Sequence, residues 1–435
     1  MDALLISLYA LPMLLIWAWY LLRRRRREAH TRAVREEAVA AGLIEPASLH
    51  PVVDAAQCVG CGSCVRACPE QPEHHVLGLI DGKAHLVSPT DCIGHGACKE
   101  ACPVGAISLV FGTATRGVDI PVLRPNFESN VPGIYVAGEL GGMGLIRNAL
   151  TQGRQAVEAI ATAGRRHPAR LDVLIVGAGP AGFAAALTAQ SLGLRYLVIE
   201  QESLGGCVFQ YPRGKLVMTS PVELPLVGKI HFRHTSKEDL LKFWTNARDR
   251  HKLQIHCQER VEGIDQFDGG FIVRTSRQRY PACNVLLAIG RRGTPRKLGV
   301  PGEELPKVVY RLIDPEQYRG QQVLVVGGGD SALEAAASVA EVGATHVTLS
   351  YRGDAFTRAK QRNRQRVDRA RDAGTLDLLL SSQVAEIHPD LVILEHSGRA
   401  LKLHNEAVIV NAGGVLPNEF LRGVGVQVET KYGTA

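Results

Sequence analysis

A chain of 435 residues has room for two or three domains, and a hydrophobic content of 46% is ample for buried cores. The formal charge of +7 is concentrated, since five of those charges are Arg23–Arg27 and only +2 remains for everything else. With aromatics at 5% and no basic stripe interleaved with them, nucleic-acid binding is set aside.

At the start of the chain, residues Ala3–Leu22 are apolar apart from Ser7, with Pro12 inside and Trp17, Trp19 and Tyr20 near the end. As a helix this stretch would reach roughly 30 Å, the thickness of a bilayer's hydrocarbon core. The expectation is a retained single-pass anchor over 3–22 in the inner membrane. The Arg23–Arg27 run and the redox domains would then stay on the cytoplasmic side. A cleaved signal peptide wants positive charge before the apolar run and a small-residue cleavage site after it, and neither is present. Residues 23–50 follow as a basic juxtamembrane segment, with Glu28–Ala41 a charged helical spacer and Glu45–Pro51 a linker.

Cys58, Cys61, Cys64 and Cys68 stand at C-x2-C-x2-C-x3-C and are followed by Pro69. Cys92, His95, Cys98 and Cys102 repeat that spacing before Pro103. Structural zinc asks for two C-x2-C pairs, and disulfides belong to small secreted scaffolds, so both are weaker readings. Between the runs, Val76–Ile80, Asp81–Gly82 and Lys83–Val87 predict two strands joined by an Asp-Gly hairpin turn.

The first run resembles the ligand pattern of bacterial two-cluster ferredoxins, in which the fourth cysteine of a run reaches across to the other cluster. That resemblance implies a small α+β domain over 51–112. Cys58, Cys61, Cys64 and Cys102 would bind an ordinary 4Fe–4S centre. Cys68, Cys92 and Cys98 would bind a second, with His95 at its remaining position. Either His95 ligates iron, or it packs over a 3Fe–4S centre.

Two dinucleotide-binding fingerprints follow. Leu171–Val176 reads as a strand, Gly177-x-Gly179-x-x-Gly182 as the glycine turn, and an Ala-rich helix comes next; a second strand ends at Glu200, 23 residues after Gly177. Strand, turn, helix N-terminus and ribose-binding acid are all in place. The second fingerprint is Gln322–Val326, then Gly327-x-Gly329-x-x-Ala332 and another Ala-rich helix. Here the acid position is Ser350, followed by Tyr351 and Arg352. An arginine at that strand end suits a 2′-phosphate, which favours NADPH while leaving NADH open, with Arg358 a second candidate; the alternative for both arginines is a solvated loop, the run Arg358–Arg371 being basic throughout.

Two such folds, the first with its acid, resemble the thioredoxin-reductase-like flavoproteins. The resemblance implies FAD at the first fingerprint and NAD(P)H at the second. Leu287-Ala-Ile-Gly290, Pro301-Gly-Glu303 and Val410-Asn-Ala-Gly-Gly414 also match. So does Val131-Pro-Gly-Ile-Tyr-Val-Ala-Gly138-Glu139, which looks like the family's second FAD motif, with Glu139 in place of the usual aspartate and a following helix over Leu145–Ile160. In the family this motif comes last. Here it precedes the first fingerprint, so the chain reads as a circular permutation, joined where Tyr432-Gly-Thr-Ala435 would meet Phe111-Gly-Thr-Ala114. The alternative is that 113–164 is an unrelated element or completes a partner's site.

The overall expectation is an α/β architecture with two Rossmann-like domains, a ferredoxin domain and the N-terminal helix. FAD is bound by 113–164 and 165–300, NAD(P) by 301–418, and 419–435 returns to the FAD domain. Thioredoxin reductases carry a C-x2-C just before the second fingerprint, but Val308–Pro315 holds no cysteine. The stretch Leu204–Pro212 is similar to the bacillithiol-disulfide-reductase branch, which often has Cys where Ala181 stands. Cys207 lies near the expected flavin, and no catalytic side chain is singled out. Electrons are therefore expected to run from NAD(P)H through FAD and the clusters to a partner protein or quinone-linked complex, or in reverse. Reduction of a low-molecular-weight disulfide is the runner-up, and a redox-sensing or docking subunit the non-enzymatic alternative; a homodimer is allowed.

Overall fold

Asp81 and Gly82 both take left-handed backbone angles, φ 53° and 72°, the pair of positive values that a two-residue hairpin turn requires. Strands Leu77–Ile80 and Lys83–Leu86 pair antiparallel on either side of it, as the sequence predicts. The computed structural model describes residues 2–433 except 41–45, 47–48, 72–74, 114–116, 143–144, 212–215, 219–221, 231–233, 292 and 357–358, and for residues 2–10, 216–218, 234 and 294 it describes the backbone only. Two units are formed, one largely Met1–Ala114 and the other Thr115–Asp354 with Ala359–Tyr432.

In the first unit, helix Asp2–Ala40 is continuous and contains Pro12. Its charged half is no free spacer. Thr31 packs on Gly78 so closely that a Cβ there would lie 2.3 Å from the threonine methyl. Glu28 Oε1 accepts the Asp81 backbone N–H at 2.7 Å, and Arg32 pairs with both Glu28 and Asp81. Residues read as linker also gain structure, because His50–Val53 pairs antiparallel with Ile107–Val110. The thiols of the two runs other than Cys61, with Val76, Leu77, Ala84, Ala106 and Ile107, form this unit's core.

The expected membrane span is corrected. Among the described residues, no helix is long and apolar enough to cross a membrane. Helix Asp2–Ala40 runs without a break through Leu22 into Arg23–Arg27. The inner-membrane placement falls with the span.

The second unit holds two five-stranded parallel sheets. In the first, the spatial order is Ile255–His256, Tyr196–Ile199, Val173–Val176, Val285–Leu287 and Ile134–Val136. Strands buried on both faces read as unbroken apolar runs, and Val-Leu-Ile-Val and Tyr-Leu-Val-Ile do so here. The last strand comes from before the first fingerprint yet lies parallel in the same sheet. In the second, the order is Val308–Val309, Ala407–Val410, Gln322–Val326, His346–Ser350 and Leu376–Leu379. Each sheet has an antiparallel three-stranded companion, Val261–Ala282 beside the first in sequence and Ser382–His404 in the second half. Strand Val428–Lys431 pairs antiparallel with Val118–Pro121.

Candidate functional site

The two cysteine runs fold into matching loops. Gly60 and Gly62 flank Cys61 with φ 68° and 70°, and Gly94 and Gly96 flank His95 with φ 71° and 85°. Only glycine takes such angles freely, and crowding forbids a side chain as well. A Cβ on Gly60 would meet the Gly82 oxygen at 2.0 Å, and one on Gly94 the Leu49 oxygen at 2.6 Å. His95 thus occupies the place in the second loop that Cys61 holds in the first.

Each loop closes on a cavity of its own. Cys58, Cys61, Cys64 and Cys102 line one, of about 310 Å³ counting its mouth; Cys68, Cys92, His95 and Cys98 line the other, of about 370 Å³. Among the described residues, no three His, Cys, Asp or Glu converge tightly enough to hold a single metal ion. The donors instead line the two cavities, four thiols around one and three thiols with an imidazole around the other, and this donor chemistry fits iron–sulfur cubanes. Backbone N–H groups already point at sulfur, Ala84 to Cys58 Sγ at 3.4 Å and Ala106 to Cys102 Sγ at 3.3 Å. Burial pushes the Cys92 and Cys98 thiols up to about 11 and raises Cys64 and Cys68. A metal is what would hold such groups as thiolates. Exposed Cys61 moves the other way, because a Ser63 hydrogen bond stabilises its thiolate.

In the second unit, the first fingerprint presents the N-terminus of helix Pro180–Ser191 with Gly179 as its cap. Gly177, φ 101°, lies against the Ala288 carbonyl, and Gly182 lies against Gly177, where a Cβ would come within 1.8 Å of the carbonyl oxygen. Glu200 is 6% exposed and accepts the backbone N–H groups of Ala178 at 2.7 Å and Glu202 at 2.9 Å. Burial raises its pKa, and those N–H groups oppose the rise. Gly138, φ 86°, approaches Ala181, and its N–H donates to Gln152 Oε1 at 2.9 Å. Glu139 follows at the start of a short 3-10 turn. Gly138 and Ala181 are thus neighbours although the motif stands before the fingerprint in sequence.

The second fingerprint repeats the arrangement. Gly329 caps helix Asp330–Glu341, Gly327 lies against the Asn411 carbonyl, and Ala332 is buried. The loops at Leu287–Gly290 and Val410–Gly414 therefore back the first glycine of each turn. Ser350 does not face outward, since its hydroxyl is buried 2.7 Å from that of Ser382. Arg352 is exposed just beyond the strand, and Arg358 lies outside the described residues. Among the basic residues of helix Gln361–Asp372, Arg366 is engaged with Glu341.

A family model for pyridine nucleotide-disulphide oxidoreductases matches residues 174–434. The chain belongs to that family. A 4Fe-4S dicluster domain model matches residues 50–103. The ferredoxin–NADP reductase of Ignicoccus hospitalis is 31% identical over 60% of this chain and 83% of its own length. The bacilliredoxin reductase of Bacillus subtilis is 26% identical over 60% of this chain and 82% of its own. Among solved structures, a bacillithiol disulfide reductase from Bacillus cereus matches with TM-score 0.53 and 29% identity, over 59% of this chain and 81% of that one. This pyridine nucleotide-disulphide oxidoreductase is an FAD-dependent NAD(P)H enzyme joined to an iron–sulfur domain.

Three side chains near these motifs escaped the sequence reading. Arg291 lies close to Glu139 and donates to the Asp119 carbonyl at 3.2 Å; burial lowers its pKa against the pull of those two acids. Arg311, in the cysteine-free stretch before the second fingerprint, donates from Nη1 to both carboxylate oxygens of Glu202, at 3.0 and 2.9 Å. Gln152 is the third. The Leu287–Gly290 motif flagged the approach to Arg291, but no spacing announces a single arginine or glutamine. Cys207 is partly buried beside Gly206, which itself touches Gly179.

Proposed function

We propose that the chain transfers electrons between NAD(P)H and a one-electron redox partner, with FAD and two iron–sulfur clusters as its resident carriers. In the forward direction, one NAD(P)H and two oxidised partners give NAD(P)+, a proton and two reduced partners. FAD, when bound, exchanges electron pairs with nicotinamide and single electrons with iron–sulfur centres. The observation that carries the reading is the crossing of the two cysteine runs. Cys102 of the second run lines the first cavity, and Cys68 of the first run lines the second.

The residues assigned to the first cluster are Cys58, Cys61, Cys64 and Cys102. Cys68, Cys92, Cys98 and His95 are assigned to the second, with His95 as its fourth ligand because the backbone around it repeats that around Cys61. Gly177, Gly179, Gly182, Glu200, Gly138 and Glu139 are assigned to FAD, and Gly327, Gly329, Ala332 and Arg352 to NADPH. Here Glu200 would take the ribose hydroxyls, and Arg352 the 2′-phosphate.

We read the order of the motifs as a circular permutation. In support, Ile134–Val136 completes the first parallel sheet beside Val285–Leu287, and Gly433 closes on Gly112, where a Cβ would meet the Gly112 oxygen at 2.1 Å. Disulfide reduction, suggested by the names of some relatives, has less behind it. Val308–Pro315 has no cysteine, and Ala181 occupies the glycine loop.

Anaerobic titration of the purified chain with NADPH and with NADH, followed by optical and EPR spectra, tests the proposal. Flavin bleaching together with two cluster signals is expected. Flavin reduction that never reaches a cluster, with rapid turnover of a small disulfide, would favour the rival.

A further inference from the structure

We infer that electrons cross between this chain and its partner at the first cluster, through the surface around Val59, Cys61 and Val104, and that the partner is an acidic one-electron carrier protein. The inference rests on the reading above and adds to it the place and the charge of the exchange.

The two cavities differ in what surrounds their mouths. Val59 and Val104 line the first, and they are 65% and 42% exposed with Cys61 exposed between them in the lining. In the matching positions of the second loop, Ile93 and His95 are partly buried. Small apolar groups ringed by charge are the usual make-up of a transient interface, and at the first cavity they lie directly over the thiols.

The charges differ as well. Lys83 Nζ donates to the Cys58 carbonyl at 2.6 Å, and Arg66 donates to the Cys61 carbonyl at 3.2 Å and to Ser63 at 3.2 Å. Arg24 lies beside Gly82, whose own carbonyl abuts Gly60. Three cations therefore gather on the first loop. The nearby acids Asp81 and Glu28 are paired with Arg32; among the described residues, Asp54 and exposed Glu100 are the further acids close to this loop in sequence. At the second cavity the lining includes the buried carboxyl of Glu70. An anionic carrier is drawn to the first mouth, and complementary charge acts chiefly on how fast the two proteins meet.

The test uses the full chain with both clusters, NADPH as reductant, and a plant-type 2Fe–2S ferredoxin as the acidic probe. Reduction of the probe should slow steadily with added salt. At low salt, Val59→Asp, Val104→Asp and Arg66→Glu should each slow it by about tenfold, while NADPH still generates both cluster EPR signals. Should Arg66→Glu lose iron, the two valine variants carry the test, because neither side chain holds a loop carbonyl. Probe reduction that ignores salt and all intact variants, in a chain whose clusters still fill from NADPH, overturns the port and leaves the underlying reading standing. Failure of NADPH to reduce either cluster in the unaltered chain removes that reading and the port with it.

Discussion

A Cβ built on Gly153 would lie 2.0 Å from the carbonyl oxygen of Ala181, so helix Ile146–Ala163 presses on the first fingerprint helix at a point where only glycine fits. The segment before the linker and the segment after it form one packing unit. Gly153→Val should therefore lower thermal stability by about 1–3 kcal/mol, the usual range for overpacking, and reduce bound flavin together with it. A variant with unchanged melting temperature and flavin content would show that the two helices separate freely.

Exchanging single cysteines for serine separates the two clusters. Cys61→Ser should remove the first EPR signal, whereas Cys68→Ser, though in the same run, should remove the second. If both substitutions erase the same signal, each run serves its own cluster and the crossing is wrong.

His95 supplies a spectroscopic handle. Nitrogen hyperfine coupling is expected at the second cluster alone, and His95→Cys should abolish it and lower that cluster's potential, as thiolate in place of imidazole does elsewhere. A second centre with three irons and no nitrogen coupling would place His95 as a packing residue.

Arg352→Ala should weaken NADPH more than NADH, by about 1.5–3 kcal/mol for the lost charge-assisted contact. Equal losses for both nucleotides, measured by binding to the oxidised enzyme, would remove Arg352 from phosphate recognition.

Asp172 opens the first fingerprint strand at 4% exposure, and its carboxylate takes the Arg195 guanidinium at 2.6 Å. Burial pulls the Asp172 pKa upward, but the Arg195 hydrogen bonds outweigh it, and the net shift is below the ordinary 3.8. A depressed carboxylate stabilises the fold above its unfolded pKa and loses that contribution as pH falls through the folded one. The unaltered chain should lose stability as pH drops below 3.8, and Asp172→Asn should show a shallower acid limb from a lower starting stability. Parallel acid limbs in denaturant melts would mean that the pair does not titrate with unfolding.

What was legible in the sequence is local. The hairpin at Asp81–Gly82, the glycine turns at 177–182 and 327–332 and the cysteine loops are set by backbone angles and spacings within a dozen residues. Beyond the crossing of the cysteine runs and the permuted strand that the resemblances imply, contacts between distant segments were not. Nothing in the spacing of Glu28 and Thr31 says that they dock on a hairpin some fifty residues later. Nor does it say that Arg311 reaches Glu202, or that the Ser350 hydroxyl turns inward to Ser382. His50 and Pro51 read as the end of the Glu45–Pro51 linker because the four-residue strand His50–Val53 acquires its character only from its partner Ile107–Val110. Apolar composition at 3–22 predicts a span, whereas among the described residues no helix is long and apolar enough to cross a membrane.

The placement of Ile134–Val136 bears on how the chain folds. All five strands of the first parallel sheet fall between residues 134 and 287, ahead of every strand of the second sheet. Had this strand come last, the first sheet would have waited for the whole nucleotide domain to be made. With it first, the pairings are nearer in sequence, which shortens the search for non-local contacts. The first sheet can assemble during synthesis, before Val308 leaves the ribosome. The slow closing step then passes to the short antiparallel pair of Val428–Lys431 with Val118–Pro121, among the described strand pairings the one with the longest loop to close.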